Sequence, residues 1–274
     1  DPGKPLSFLD AHIQCGDSLV GVFDPKVLEE GIPDGAYKPL TGDNKTVCTS
    51  LKKENATYRK ASKGSSGGLQ GSFNLSGTQP GSQSQNRLHE IEAMPEDSLA
   101  ESTAKQEAYA AWLQEACSDP EQLAADLYTA AFFLPKTAET RACVPTTEHL
   151  LKLQLGKPLE DESLIQAVTQ ASKDFRFFHW HLRFGDVMER GGFDCVLGNP
   201  PWDTLSPDRR EFFQKYAPGI RSMSPSSQDS TINSLLENAS IRTDWECYQL
   251  GLLSLANFLK NSTRFKLFAP GNLG

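Results

Sequence analysis

The tetrapeptide Asn199-Pro200-Pro201-Trp202 closes a short apolar run, FDCVLG, at residues 193–198. Its parts suit one task, holding the exocyclic amine of a base for alkyl transfer. The lone pair of such an amine, as on adenine, is delocalised into the ring, so it is a poor nucleophile with two N–H bonds. A site that activates it needs two fixed acceptors whose bonds strengthen as positive charge grows on nitrogen. Asn199 offers a side-chain carbonyl and Pro200 a backbone carbonyl. Pro201 restricts the residue before it to extended conformations and so aims that carbonyl. Neither proline adds a backbone N–H that would repel the amine's own donors. No strong base is required beforehand, because the proton becomes acidic once the nitrogen has gained its new carbon. Trp202 offers a face to a base lifted out of its duplex, and base–aromatic stacking contributes about 1–3 kcal/mol. A plainer reading exists for the same residues: Asn-Pro starts turns, and a tryptophan after a loop is often a core residue. The strand signal running straight into the tetrapeptide favours the chemical one.

Other candidates are weaker. Asp17, in Cys-Gly-Asp-Ser, could accept a hydrogen bond from an adenine amino group, or cap the turn and helix that follow. His179 and His181 form an H-x-H that an extended chain would put on one face. No third ligand is visible nearby, so structural or DNA-facing roles are favoured over a metal site. The six cysteines, Cys15, Cys48, Cys117, Cys143, Cys195 and Cys247, form no CxxC pair, which argues against a disulfide framework or a thiolate zinc site. Lys52, Lys53, Arg59, Lys60 and Lys63 could meet a polyanion or simply solvate a helix face.

The elements that must position these residues follow from patterning. Residues 24–40 are broken by prolines and glycine and read as loop with at most one short helix. TVCTSLKKENATYRKASKG (46–64) reads as a helix. The stretch 64–87, rich in Gly, Ser and Gln, reads as a mobile loop or linker. Helical signals return at 97–117, at 121–133 behind Asp119-Pro120 and ahead of Pro135, and at 161–175. FRFFHWHLRF (175–184) reads as a strand or extended segment, and Phe193–Leu197 as a buried parallel strand whose carboxyl end delivers Asn199. A helix is expected after Ser206-Pro207, with Ser206 as its cap, and a longer one over Thr243–Leu259 beyond a serine-rich loop. The C-terminal RFKLFAPGNLG looks extended. The whole predicts an α/β fold: a partial Rossmann-like sheet with a mainly helical insertion. Its sections are a core segment (1–40), a basic helix and linker (41–87), the insertion (88–174) and a catalytic segment (175–274).

The chain has 274 residues and a formal net charge of −8, which argues against a wholly basic nucleic-acid binder but leaves room for a local cationic patch. No signal-peptide pattern opens it and no run approaches 18 apolar residues, so a soluble, cytoplasmic protein is expected.

The sequence resembles the catalytic region of adenine-N6 DNA methyltransferases, especially the large enzymes of bacterial restriction-modification and phage-defence systems. FDCVLGNPPW is similar to their catalytic motif. FHWHLRFGDVMERGG, PLSFLDAHIQCGDSLVG, ADLYTAAFFLP and FLKNSTRFKL are similar to flanking segments scattered over nearly the whole chain. The resemblance implies S-adenosylmethionine as cofactor and double-stranded DNA with a flipped adenine as partner. It also implies that Asn199, Pro200, Pro201 and Trp202 form the catalytic corner and that Asp17 contacts the cofactor's adenine. The motif is shared with enzymes that methylate RNA bases or protein glutamine, and a non-catalytic scaffold role is a further alternative. The tract before the motif departs from the family's usual HWPLEFPEVF at His181, Arg183, Gly185 and Asp186. GSSGGLQGS, the one glycine-rich cluster, follows no strand signal and so lacks the context of a cofactor-binding turn. A fragment is therefore expected, inactive alone, with cofactor-binding and target-recognition regions supplied in cis or by partner chains. No nuclease constellation is visible.

Overall fold

The computed structural model describes residues 12–64, 87–88, 90–116, 119–199 and 205–264. The helices are α1 (Lys26–Glu29), α2 (Lys45–Gly64), α3 (Leu99–Ala116), α4 (Pro120–Phe133), α5 (Thr147–Gln154), α6 (Glu162–Asp174), α7 (Trp180–Arg183), α8 (Gly185–Glu189), α9 (Arg209–Gln214), α10 (Pro225–Glu237) and α11 (Ala239–Asn261).

Helix α4 is the central element. Asp119 accepts the Glu121 N–H at 2.8 Å and Pro120 takes the first turn, where its missing N–H costs nothing. Every residue from Ala124 to Phe133 is buried, as expected of a helix enclosed on all sides. Around it pack α6, through Leu164, Val168 and Ala171, and α5; α2 packs in turn on α5 and on the Asp34–Tyr37 turn, and its Val47 and Leu51 join the same core. The C-terminal end of α11 adds Phe258, whose ring meets Phe132 edge-on at 5.2 Å. A second cluster joins Phe212, Phe213, Ile220, Ile232 and Trp245 from α9, the 3-10 turn Ile220–Ser222, α10 and the first turns of α11. A third joins Ile91, Tyr109 and Trp112.

The α/β expectation fails. Among the described residues there is no β-strand, and the β-type contact is an isolated parallel bridge between Asp17 and Phe177. The run Phe193–Leu197, expected as an interior strand, is exposed coil, with Val196 76 % and Leu197 97 % exposed. A parallel strand is stable when strands on both sides take up its N–H and C=O groups. Among the described residues no such neighbour stands beside it, so apolar composition alone does not make it a strand.

Smaller corrections follow from capping. In FRFFHWHLRF the chain turns at Phe175 and Arg176, where Arg176 takes φ +50°, runs extended from Phe177 to His179 and then enters α7. The helix after Ser206-Pro207 begins at Arg209, because the Asp208 side chain, not Ser206, accepts the first free N–H groups, of Arg210 and Glu211. The serine-rich stretch expected as loop contains α10, capped by Ser224 with Pro225 in its first turn. Helix α5 is not among the helices read from the sequence: Thr146 is its N-cap, in a capping box completed by His149, whose ring Nδ1 accepts the Thr146 N–H at 2.9 Å. Residues 65–86 of the Gly/Ser/Gln-rich stretch, Pro200, Pro201, Trp202 and residues 265–274 lie outside the described residues.

Candidate functional site

Two segments far apart in sequence meet at Asp17. The Asp17 N–H donates to the Arg176 carbonyl at 2.8 Å, the Phe178 N–H to Val20 O at 2.7 Å, and the Trp180 N–H to Val22 O at 3.0 Å. The approach is close because Gly16 and Gly21 carry no Cβ: at Gly16 a Cβ would fall 2.5 Å from the Phe178 ring, and at Gly21 2.1 Å from the Phe178 carbonyl oxygen. Gly21 also sits at φ +146°, a conformation that L side chains rarely adopt. Asp17 itself caps the turn, its Oδ1 accepting the Leu19 N–H at 2.9 Å. Of the two sequence readings of Asp17, the turn cap is present without the helix expected to follow it, since the first helix starts only at Lys26.

Arg264 crosses the same turn from the end of α11, donating to the carbonyls of Ser18 (2.9 Å), Leu19 (3.1 Å) and Gly21 (3.3 Å). Burial pushes its guanidinium down to about 10, with the Asp17 carboxylate pulling the other way. Sequence reasoning missed Arg264 as a site residue, though it lies in FLKNSTRFKL, one of the segments that carried the resemblance.

The H-x-H pair anchors the far side. His179 is fully buried: its Nδ1 accepts the Val22 N–H at 3.0 Å, and its Nε2 donates to Asp126 Oδ1 at 2.9 Å. Both ring nitrogens are used, leaving none for a metal. Asp126, on α4, also accepts from Ser172 Oγ (2.8 Å) and Gln122 Nε2 (3.1 Å). His181 donates from Nδ1 to Val22 O at 3.2 Å, and burial together with the neighbouring His179 pushes it down to about 4. The pair is structural, and it pins the Gly16–Val22 turn to α4.

From here an aromatic chain leads toward Asn199. Trp180 donates its indole N–H to Ser18 O at 3.0 Å, and its ring meets Phe178, Phe184 and Phe193 at centroid distances of 5.2, 5.7 and 5.8 Å. Phe193 is held on this cluster, and the chain then runs exposed to Asn199. The Asp17 turn and the Phe193 end of the Asn199 segment are thus joined through both Trp180 and Phe184. Pro200, Pro201 and Trp202 lie outside the described residues.

Beside Asp17 opens a cavity of about 610 Å³, lined among others by Phe133, Phe175, Arg176, Tyr248 and Leu252. Asp17 places a carboxylate acceptor beside aromatic walls there, a pairing that could meet one amino group on a flat ring. Among the described residues no group of three or more His, Cys, Asp or Glu is placed to hold a metal ion, and no helix is long and apolar enough to cross a membrane.

Neither the curated proteins nor the solved structures contain a match to this chain. Residues 104–235, which include Asp126, His179 and the whole Asn199–Trp202 tetrapeptide, match the family model described as Eco57I restriction-modification methylase.

Proposed function

We propose that the chain carries the amine-holding part of an adenine-N6 DNA methylase that uses S-adenosylmethionine. The observation that carries the reading is that Asn199-Pro200-Pro201-Trp202 lies inside the segment matching the restriction-modification methylase family. Asn199 Oδ1 and the Pro200 carbonyl accept the two N–H bonds of a flipped adenine, and Trp202 stacks on its ring. Both acceptors gain strength as the nitrogen becomes cationic, so they lower the barrier rather than merely bind. The proton left on the alkylated nitrogen is acidic and departs along one of these hydrogen bonds. Asp17 and the aromatic walls of its cavity are the residues that would hold the cofactor's adenine; the cofactor supplies the electrophilic methyl group. The Arg264 and His179 contacts keep the Asp17 turn in place for this.

The test is tritiated methyl incorporation from S-adenosylmethionine into adenine-containing duplex DNA, by the chain alone and with a glycine-rich cofactor-binding segment supplied. Label in DNA adenine, dependent on Asn199, supports the reading. Preferential label in RNA or in protein glutamine would replace DNA as the substrate. Failure of the supplemented protein both to bind cofactor and to transfer methyl would leave a scaffold role instead.

A further inference from the structure

Helix α2 lies outside the segment that matches the methylase family and takes no part in the site above. Its apolar side, Val47, Cys48 and Leu51, is buried in the main core. Its other side carries Lys45, Lys52, Lys53 and Lys60, all exposed. At about 100° per residue, Lys45 and Lys52 fall within about 20° of each other, as do Lys53 and Lys60, and all four share an arc of about 100°. Along the axis the members of each pair stand about 10 Å apart, and the row is about 22 Å long. The charges of α2 that are paired sit at its margins: Arg59 with Asp34 at 3.1 Å and Glu54 with Arg141 at 2.9 Å. Among the described residues none of the four lysines has an ion pair. The hydroxyls on this side are turned inward, Thr49 onto the Lys45 carbonyl and Thr57 onto that of Lys53. What the face presents is therefore two rows of free ammonium groups on a rigid rod.

We infer that this face of α2 grips the phosphate backbone of double-stranded DNA. A chain of net charge −8 repels a polyanion over most of its surface, so a local cationic row decides which side approaches. A duplex presents a phosphate about every 3.4 Å along each strand, so a row about 22 Å long spans several on one edge. A membrane surface fits less well: an interfacial helix inserts large apolar side chains, and between these lysines stand Thr49, Ala56 and Thr57. The contacts are to backbone, so they position the duplex without reading its sequence. The identification of the polyanion as DNA rests on the proposed function. Binding needs no methyl transfer, so the two readings can fail separately.

The test is fluorescence anisotropy of the 274-residue chain with a short labelled duplex across salt concentrations. Four phosphate contacts give a slope of log K on log salt of about −3.6, and each lysine removed takes away about 0.9. The Lys45→Gln, Lys52→Gln, Lys53→Gln, Lys60→Gln variant is expected to lose at least about 10-fold in affinity at low salt and most of the slope, while the four Lys→Arg changes together keep both. Asn199→Ala should bind like wild type. Lysine acetylation footprinting of the unaltered chain should show duplex protection at these four positions, a readout independent of any variant's folding. An unchanged slope in the Gln variant, absence of duplex binding by the wild-type chain, or lysine-dependent binding to phosphatidylserine vesicles without binding to DNA would each overturn the inference.

Discussion

Asn199 sits on exposed chain, so its removal should spare the fold and strike the chemistry. On the proposed function, Asn199→Ala takes away one of two acceptors that act in the transition state, and losing a single group of that kind costs roughly 100- to 1,000-fold in rate. Methyl incorporation by the wild-type and Asn199→Ala proteins, with matched circular dichroism, measures it, and equal rates would remove Asn199 from the mechanism. Asp126 is the opposite case. It faces three donors inside the protein, so Asp126→Ala leaves the groups on Gln122, Ser172 and His179 unsatisfied and should cost about 3 kcal/mol in urea unfolding. His181 brings a pH dependence. Its folded value of about 4 lies below the ordinary 6.5, so the unfolded chain takes up the proton first. The stability it allows is complete above about 6.5 and is lost as pH falls toward 4, on the order of 2 kcal/mol given its partial exposure. His181→Asn should flatten that acid limb. The role of His179 was not legible in the sequence for a plain reason: its partner Asp126 stands 53 positions away on another helix, and no spacing rule reaches that far.

At the scale of elements, helix starts were the readable signals and buried networks were not. Asp119-Pro120 and Asp161 marked the starts of α4 and α6 because a cap is a local interaction. The α5 start, capped by Thr146, went unread because the capping-box partner three residues on is His149 rather than the usual Glu or Gln. The turn around Asp17 was read from its residue types, but its dependence on Gly21 needed the fold. A methyl group there would sit 2.1 Å from the Phe178 carbonyl, which is backbone and cannot step aside. Gly21→Ala should therefore break the Val20–Phe178 pairing and lower the melting temperature, and it should raise the apparent Kd for S-adenosylmethionine if the proposed role of Asp17 holds. Unchanged melting would show that the turn is looser than its geometry. Helix α4 carries a second pH effect, opposite in sign to that of His181. Burial, with Asp119 beside it, raises Glu121 from 4.5 to about 7. The unfolded chain loses this proton first, so stability falls as pH rises from about 4.5 to 7. Glu121→Gln should abolish that fall and leave a steeper net rise with pH in the same window. A profile unchanged by the substitution would contradict the burial of this carboxyl.

Over the whole molecule, the largest departure from sequence expectation is FDCVLG, whose apolar, glycine-bounded character predicts an interior strand. Hydrophobicity states a preference for burial, but strand formation also needs pairing partners, and these are a property of the fold rather than of the six residues. Long-range organisation was hidden for the same reason. Helix α11 looks like one element, yet its two ends serve different cores: Trp245 packs on Phe212 and Phe213 at 5.0 and 5.2 Å, while Phe258 packs on Phe132 and Phe133 at 5.2 and 6.0 Å. A helix bridging two clusters couples them only through its own backbone hydrogen bonds, so damage at one end should stay there. Trp245→Ala removes the largest side chain of the smaller cluster, a change that costs about 3–5 kcal/mol when the site cannot collapse. That cluster has few other buried side chains to absorb the loss, whereas the main core retains all of its contacts. Hydrogen exchange on Trp245→Ala should show protection lost over α9, α10 and the first turns of α11, with α4, α6 and the last turns of α11 close to wild type. Uniform loss across the chain would mean that the two clusters unfold as one cooperative unit, and that α11 transmits stability along its whole length.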